Sequence, residues 1–406
     1  MSANPVNAWD MLVLAATEAT LGVTPVPASQ AAYGLLALEA IGCSLGPAEV
    51  GVIRPKQDRA QGRGMQSGFV EGRVQPLAWT FDTSLKSRAL VDTASPLLPL
   101  LKAAGIKHVI NGGTNVTLTP SPQPIELGDF AGVSLTRLEG SGLGVQLAEV
   151  LRGCVAKTLS ITGAAGELLA KFAGVGMGKT TAAGQAGVLG RLDSITVLSG
   201  ATSLTCTAEE SYRLGLGYYL CETEVIQVTA CTPGGTTATI ARAALGTVAA
   251  AHTAVPLVPY RPTPTFAGAP IAEPTSSVTL GGISCRARSW GIDITSGMDL
   301  LAPETGSRYS QGAKYSRSDI KGHVQLVLSG DQVSLLGKAQ ARPNLALVLS
   351  QGVGVGGIFT LNAPNVEVVS FTPPDTANDV AVVDVQLRFR DGAATAGNDS
   401  WNIVLT

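Results

Sequence analysis

Hydrophobic and polar residues alternate along most of the chain with a period of two, which is typical of half-buried β-strands. Leu77, Trp79 and Phe81 fall on one face of such a segment, and smaller or polar residues fall on the other. Further segments with this alternation lie at 323–329, 366–371 and 380–389. Glycine- and proline-rich stretches between the segments predict turns. The pattern therefore predicts a mainly β protein.

Two short segments follow helical spacing instead. Leucines recur through 97–104, Ser95 is a candidate N-cap, and Gly105 supplies the residue that ends a helix. In the second segment, 143–151, apolar residues also recur at a spacing that fits one helix face. We therefore expect one or two α-helices packed against a β-sandwich or barrel.

The composition shifts at two places, and these shifts predict an inserted domain. The stretch 180–190 is rich in Gly, Ala and Thr, which makes it flexible, whereas 255–274 is rich in proline, which makes it stiff. Between them lie five short predicted strands, at 194–197, 203–207, 218–222, 225–230 and 236–242. We predict a small all-β domain at 185–265, inserted between two parts of a main domain at 1–184 and 266–406. The two linkers are expected to hold this domain off the main body, so that it projects outward.

The chain carries few charges for its length. Of its 406 residues 14% are charged, against about 25% in typical soluble domains, and the mean hydropathy is +0.27. We therefore expect much of the surface to be covered by copies of the chain or by partners. The 45% hydrophobic content with a net charge of −2 excludes a disordered chain, and the pI near 6.0 argues against electrostatically driven nucleic-acid binding.

Targeting and cysteine signals are weak. The sequence contains no apolar run long enough to span a membrane, and its first residues lack the basic region of a signal peptide. The six cysteines include no C-x-x-C pair. They indicate buried free thiols in a protein made in a reducing cytosol, rather than disulfides or a zinc site.

Three glycine-containing segments approach known motifs but lack the flanking elements that those motifs need. The segment 173–180 nearly matches a P-loop, in which Lys179 and Thr180 would bind phosphate and magnesium, but alanine replaces its first glycine. The G-x-S-x-G at 42–46 lacks the helix of a nucleophile elbow, and the G-x-G-x-x-G at 352–357 leads into a strand. We interpret the first as a turn and linker, the last as a glycine turn between strands, and none as a site.

Other reactive residues are scattered. The histidines at 108, 252 and 323 lie far apart in the sequence, which offers neither a triad nor a metal site. Glu222 and Glu224 share one face of a strand or turn, and we interpret them as a solvated pair rather than an acid/base pair. The sequence therefore predicts no catalytic, cofactor-binding or metal-binding residue and no enzyme. A nucleotide-binding enzyme built on the P-loop-like segment is a distant alternative.

The most polar long loop is predicted at 55–68, between two predicted strands. Long loops inside compact domains are usually functional or disordered. Three cations make this one basic, but it lacks the interleaved aromatics of a nucleic-acid site. We favour a loop that contacts other subunits, together with residues 1–30, over a nucleic-acid loop or a merely solvated one. The candidate subunit-contact residues are Lys56, Asp58, Arg59, Arg63 and Met65.

The order of these features resembles the major tail tube protein of long-tailed bacteriophages. The segments that carry the resemblance are ATEATLGVTP at 16–25, GRVQPLAWTF at 72–81, PLLPLLKAAG at 96–105, GCVAKTLSITGAAG at 153–166 and the closing strands from 283 onward. The inserted stretch looks like a different phage structural module. It carries LGYYLCETEVIQV at 216–228 and TIARAALGTVAAAH at 239–252.

The resemblance implies a tail-tube-type β-sandwich or barrel whose subunits form hexameric rings. Stacked rings would make the hollow tail tube of the virion, through which double-stranded DNA passes without specific binding. The implied partners are the chain itself, a tape measure protein and the tail tip and terminator proteins, with no membrane insertion. The implied location is the virion tail, assembled in the cytoplasm of the host bacterium. Another baseplate, capsid-decorating or injection-tube structural protein is the alternative.

Overall fold

The structure is a computed structural model, and it describes most of the chain in segments. The described residues are 11–46, 51–57, 66–86, 94–120, 130–140, 145–163, 166–179, 187–265, 268–271, 276–303, 309–316, 318–327, 335, 337, 344–354, 356–372, 375–377, 380–391 and 400–406.

The described chain is mainly β, as the alternation predicts, with three short helices. The helices are α1 (Gln30–Gly34), α2 (Leu98–Ala103) and α3 (Ala208–Ser211). The strands are β1 (Met11–Thr17), β2 (Ala37–Leu38), β3 (Gly42–Ser44), β4 (Gly51–Gln57), β5 (Gln66–Val74), β6 (Leu77–Ser84), β7 (Ile106–Asn111), β8 (Asn115–Pro120), β9 (Val133–Glu139), β10 (Val145–Gly163), β11 (Leu168–Gly176), β12 (Gly187–Gly190), β13 (Leu192–Val197), β14 (Ser203–Thr205), β15 (Gly217–Cys221), β16 (Glu224–Cys231), β17 (Thr237–Ala244), β18 (His252–Pro259), β19 (Ser276–Leu280), β20 (Ile283–Cys285), β21 (Ala287–Thr295), β22 (Met298–Leu300), β23 (Ala313–Tyr315), β24 (Asp319–Val327), β25 (Asn344–Gly352), β26 (Ile358–Phe371), β27 (Asp375–Ala377), β28 (Val380–Phe389) and β29 (Asn402–Leu405).

The largest part of the fold is a nearly closed, barrel-like antiparallel sheet. One run of neighbours reads β3–β6–β11–β10–β21–β24–β28–β26. A second run reads β7–β8–β29–β26–β25–β19–β20, so β26 belongs to both. The first half of β10 also pairs with β9 and β12, and β9 pairs with β1. The long strands β10 and β26 therefore join the parts of the sheet through continuous backbone.

Large aromatic side chains fill the interior of this sheet. Trp79, Trp290 and Trp401 come from three separate strand regions and are almost completely buried. Phe359 stacks on the Trp290 ring with 5.7 Å between the ring centroids. Burial of this much apolar surface is the main stabilising contribution to the fold.

The predicted helix at 97–104 is confirmed as α2. The N-cap is Leu97 rather than Ser95, which corrects the predicted cap, and the Ser95 hydroxyl accepts a hydrogen bond from the Leu97 amide just before the helix. Gly105 takes a left-handed φ of 65° just after the helix. Leu100 and Leu101 are buried against the core. The helix α1 is absent from the sequence prediction, although Ser29 caps it by accepting from the Ala32 amide.

The predicted second helix at 143–151 is wrong, because residues from 145 onward form strand β10. Ala148 and Val150 are buried while Leu147 and Glu149 are half-buried, which is the alternation of a strand. In so short a segment the apolar positions satisfy both periods, and pairing with β9 and β12 decides the outcome.

The five predicted strands of the insert are confirmed, within a six-stranded sheet of order β13–β18–β15–β16–β17–β14. The sixth strand, β18, overlaps the first residues, 255–259, of the stretch interpreted as a stiff linker. The predicted glycine-rich linker likewise ends in β12, which pairs with β10. Neither linker prediction therefore holds for these residues.

The inserted sheet packs directly on the main sheet. Leu12, Leu14 and Leu138 share one buried apolar cluster with insert residues that include Tyr219 and Leu257. The expectation that linkers hold the insert off the main body is therefore wrong at this contact. The division into 1–184, 185–265 and 266–406 stays a prediction.

Candidate functional site

Both ends of the predicted subunit-contact loop at 55–68 belong to strands, since β4 runs to Gln57 and β5 begins at Gln66. Strands β4 and β5 pair with each other, with Arg54 opposite Val70 and Lys56 opposite Gly68. Neither strand pairs with any other described strand. A two-stranded hairpin is at best marginally stable by itself, and its two open edges can accept strands from another chain. This geometry favours a hairpin that is stabilised by a neighbouring molecule.

Of the five candidate contact residues, Lys56 lies in β4 rather than in a loop, which corrects the predicted loop start. Asp58, Arg59, Arg63 and Met65 lie outside the described residues.

The predicted subunit contacts of the N-terminal segment, residues 1–30, do not apply to all of its residues. Strand β1 lies between β2 and β9, and its residues are mostly buried. The prediction of subunit contacts for 1–30 is therefore wrong for β1, and residues 1–10 lie outside the described range. Just after β1, the buried Glu18 carboxylate accepts from the Ser134 hydroxyl at 2.5 Å and from the amides of Gly22 and Gly153 at 2.6 and 2.8 Å. These bonds fix the turn at 18–22 against β9 and β10.

The second run of the main sheet ends in two open edges. Among the described strands, β7 pairs only with β8, and β20 pairs only with β19. Ile110 of β7 is 48% exposed, although its partner Val116 on β8 is completely buried. No described strand covers Ile110 at this edge. Such an edge can accept a strand from another molecule.

The P-loop-like segment has the geometry of a strand. Its residues 173–176 belong to β11, so the interpretation as turn and linker is wrong there. The Lys179 ammonium donates to the Gly46 carbonyl at 2.7 Å and to the Glu149 carboxylate at 3.0 Å. The next described element is strand β12 rather than a helix. The described part thus lacks the backbone cradle and the available cation of a phosphate site.

The two other glycine motifs lie in strands and turns. Residues 42–44 form β3, and the next described element after 46 is strand β4. The motif at 352–357 is confirmed as a glycine turn between β25 and β26, closed by a hydrogen bond from the Gly357 amide to the Gly354 carbonyl.

A buried ion cluster lies at one end of the inserted sheet. The Glu224 carboxylate is completely buried and accepts two bonds from the Arg242 guanidinium, at 2.8 and 2.6 Å. It also accepts from the amides of Ala243 and Ala250, at 2.9 and 3.1 Å. The ring of His252 bridges the two glutamates, with Nε2 at 2.8 Å from Glu224 and Nδ1 at 2.9 Å from Glu222.

The interpretation of the two glutamates as a solvated pair is wrong for Glu224, which is completely buried, but it holds for Glu222, whose side chain is 55% exposed. Burial by itself raises the pKa of Glu224, but the hydrogen bonds from Arg242, the two amides and His252 outweigh it and lower the pKa to about 2. Arg242 also donates to the carbonyls of Leu198 and Ala250. The cluster therefore holds together the segments of the insert around Leu198, 222–224, 242–243 and 250–252.

Sequence reasoning found both glutamates and the histidine but missed Arg242. The available signal was a single arginine among small and apolar residues in the predicted strand at 236–242. A cation at such a position needs a buried counter-charge. The sequence does not show the strand pairing that brings Arg242 and His252, which are 18 and 28 residues away, into contact with Glu224.

The cysteines are free thiols throughout the chain, as predicted. Cys154 and Cys221 are completely buried, and burial raises the pKa of both thiols, to about 11 for Cys221. Burial also raises the pKa of the half-buried Cys43 to about 12. These thiols are therefore protonated and poorly reactive at neutral pH.

Comparison with known proteins adds no family assignment. No protein-family model matches the chain, and no curated protein matches its sequence. Within the described residues, no helix has the length and apolar character required to cross a membrane.

Proposed function

We propose that this chain is a structural subunit of a phage tail tube that assembles with copies of itself into stacked rings. The observation that carries the proposal is the pair of open edges, β7 and β20, at opposite ends of one seven-stranded run. Joining the β7 edge of one copy to the β20 edge of the next is a head-to-tail contact. Repetition of such a contact produces a ring if the rotation closes.

The β4–β5 hairpin supports a second kind of contact in the same assembly. Its strands pair only with each other among the described strands, so contact with an adjacent ring would stabilise it. The low charge content fits a subunit that is covered on several sides. DNA would pass through the tube without specific binding, in keeping with a net charge of −2.

Electron microscopy of the purified protein at high concentration tests this proposal. We expect hollow tubes or six-fold rings. The variant Ile110→Lys places a charge at the inward side of the β7 edge and should abolish them, because edge charges block strand addition. The control Leu198→Lys changes a 72% exposed residue of the insert and should assemble normally.

Other outcomes favour the alternatives. Small closed oligomers without tube growth would favour a capsid-decorating or baseplate protein. Binding of a nucleotide that is lost in Lys179→Ala would favour the enzyme, although Lys179 is engaged by Glu149 in the structure.

A further inference from the structure

The outward face of the run β7–β8–β29–β26–β25–β19–β20 is almost free of charge. We call it the neutral face and define it by the positions of these strands that alternate with the inward-pointing ones, taking β26 only from 358 to 363. Its members are Lys107, Val109, Asn111, Asn115, Thr117, Thr119, Asn402, Val404, Ile358, Thr360, Asn362, Asn344, Ala346, Val348, Ser350, Gly352, Ser277, Thr279 and Ser284. Within the described residues of these strands, Lys107 at the β7 edge is the one ionisable side chain on this face.

The polar groups of the neutral face bond to one another across strands. Ser350 and Thr360 are opposite each other on β25 and β26, with 3.2 Å between their hydroxyl oxygens. The Asn362 amide donates to the Asn402 side chain at 2.9 Å. These ladders hold side chains that remain accessible to water, and they leave no formal charge.

The other run of the main sheet presents the opposite chemistry on its outward face. One cross-strand row, which we call the charged row, runs through Asp82, Lys171, Ser160, Asp293, Lys321, Arg388 and Glu367. Opposite charges alternate along much of it, as at Lys171 and Asp82 with 3.6 Å between ammonium and carboxylate. The main sheet is therefore divided into a charged part and a neutral part.

This division points to different surroundings for the two parts. A surface that faces the solution around an assembly needs charges for solubility, and the charged row provides them. Stable protein interfaces are enriched in aromatic residues, Met and Arg and depleted in Ser. The neutral face has no aromatic residue, Met or Arg, and it carries several serines and threonines. It is therefore poorly suited to a tight subunit contact. Its hydrated, uncharged groups suit an internal aqueous surface.

We propose that the neutral face lines the lumen of the tube and faces the DNA in transit. This inference rests on the proposed assembly into tubes. Since DNA binding in a basic groove depends on cations that displace counterions from phosphates, a lining of hydroxyls, amides and small apolar groups gives the duplex little to bind. The open edges β7 and β20 lie at the two sides of this face, so joining them extends the lining from copy to copy.

Cysteine labelling of the full chain tests the orientation. Thr360→Cys lies at the centre of the neutral face, and Ser160→Cys lies in the charged row. In assembled tubes we expect Thr360→Cys to react with a small maleimide and to lose reaction with a maleimide that carries a long polyethylene glycol chain. Ser160→Cys should react with both reagents, and wild-type protein measures labelling of the native thiols.

The outcomes separate this inference from the proposed function. If tubes form and the large reagent labels Thr360→Cys, the face is external; if neither reagent labels it, the face is a subunit contact. Either result overturns the inference and leaves the tube intact. Absence of tubes in wild-type protein overturns both. Ser350→Cys, on the neighbouring strand, replaces Thr360→Cys if that variant does not assemble.

A gain of DNA binding provides an independent check. The double variant Thr360→Lys, Ser350→Lys should make tubes retain short duplex DNA at low salt and release it at high salt. Wild-type tubes should not retain it. Equal retention by both would contradict a neutral lining.

Discussion

Glu224 shows how much a single buried group can constrain. A completely buried carboxylate is costly unless it is paired and hydrogen-bonded, and here one guanidinium, two amides and an imidazole provide the partners. Removal of one partner leaves an uncompensated charge, which typically costs about 3–5 kcal/mol. The cluster therefore makes the insert sensitive to single substitutions at these residues.

The first prediction concerns acid stability. The pKa of Glu224 is about 2 in the fold, against 4.5 ordinarily, so the unfolded chain binds the proton first as the pH falls. The stabilisation is fully present above pH 4.5 and is lost as the pH falls towards 2. The protection of amides in β15 and β16 from hydrogen exchange, after correction for the intrinsic pH dependence of exchange, should fall in this range, and by more than the protection of amides in β6.

The variant Glu224→Gln serves as the control for this titration. It should be less stable than wild type at neutral pH, because Arg242 loses its counter-charge, and the protection of its amides should depend less on pH between 4.5 and 2. An unchanged pH dependence in the variant would show that other carboxylates cause the effect.

The second prediction concerns Gly174 in β11. A Cβ atom there would lie 2.0 Å from the Val155 carbonyl oxygen and 2.9 Å from the Trp79 ring. Backbone cannot move as a flexible side chain can, so Gly174→Ala should destabilise by at least about 1–3 kcal/mol in chemical unfolding followed by tryptophan fluorescence. Gly200→Ala is the control because nothing lies within 4 Å of its new methyl group. Equal midpoints for both variants would contradict the prediction.

At the scale of elements, period-two patterning predicts long alternating strands well. The patterns at 77–81 and 380–389 correspond to β6 and β28, and the proline-leucine segment at 97–104 corresponds to α2. The pattern fails at 143–151, where a few apolar residues fit two periods. It also fails at β18, because the prolines that predicted a linker there are accommodated in a strand. Pairing partners decide both cases, and they are remote in sequence.

Docking of the insert on α1 gives the third prediction. Tyr33 packs against Tyr218 and Tyr260 of the insert, with ring centroids 5.5 and 6.3 Å apart. Tyr33→Ala should cost about 3–5 kcal/mol of stability and increase proteolytic cleavage near 260–265. Tyr212→Ala removes a 69% exposed ring and should leave the cleavage rate unchanged. Similar cleavage in the two variants would show that the rings do not hold the insert.

At the scale of the whole molecule, the candidate contacts were only partly predictable. The loop at 55–68 was identifiable because a long polar stretch interrupts an alternating pattern, yet the hairpin and the open edges depend on strand order. The neutral face is also invisible in the sequence, since its members come from seven strands distributed from residue 106 to residue 405. The overall composition shows that the chain has few charges, but it does not show where those charges lie in the fold.

The fourth prediction is that deletion of 55–68 separates folding from assembly. Because β4 and β5 pair only with each other among the described strands, the main sheet should keep its stability. Circular dichroism should show an unchanged unfolding midpoint, while electron microscopy should show no tubes. Normal tubes from the deletion variant would show that residues 55–68 make no required contact.

Strand β10 has a mechanical consequence. Its 19 residues pair with β9 and β12 in one part and with β11 and β21 in the other. A pull on one part of the sheet is transmitted to the other through covalent backbone. Antiparallel neighbours loaded along their length share the force over many hydrogen bonds at once. The main sheet should therefore resist stretching as one body and yield abruptly.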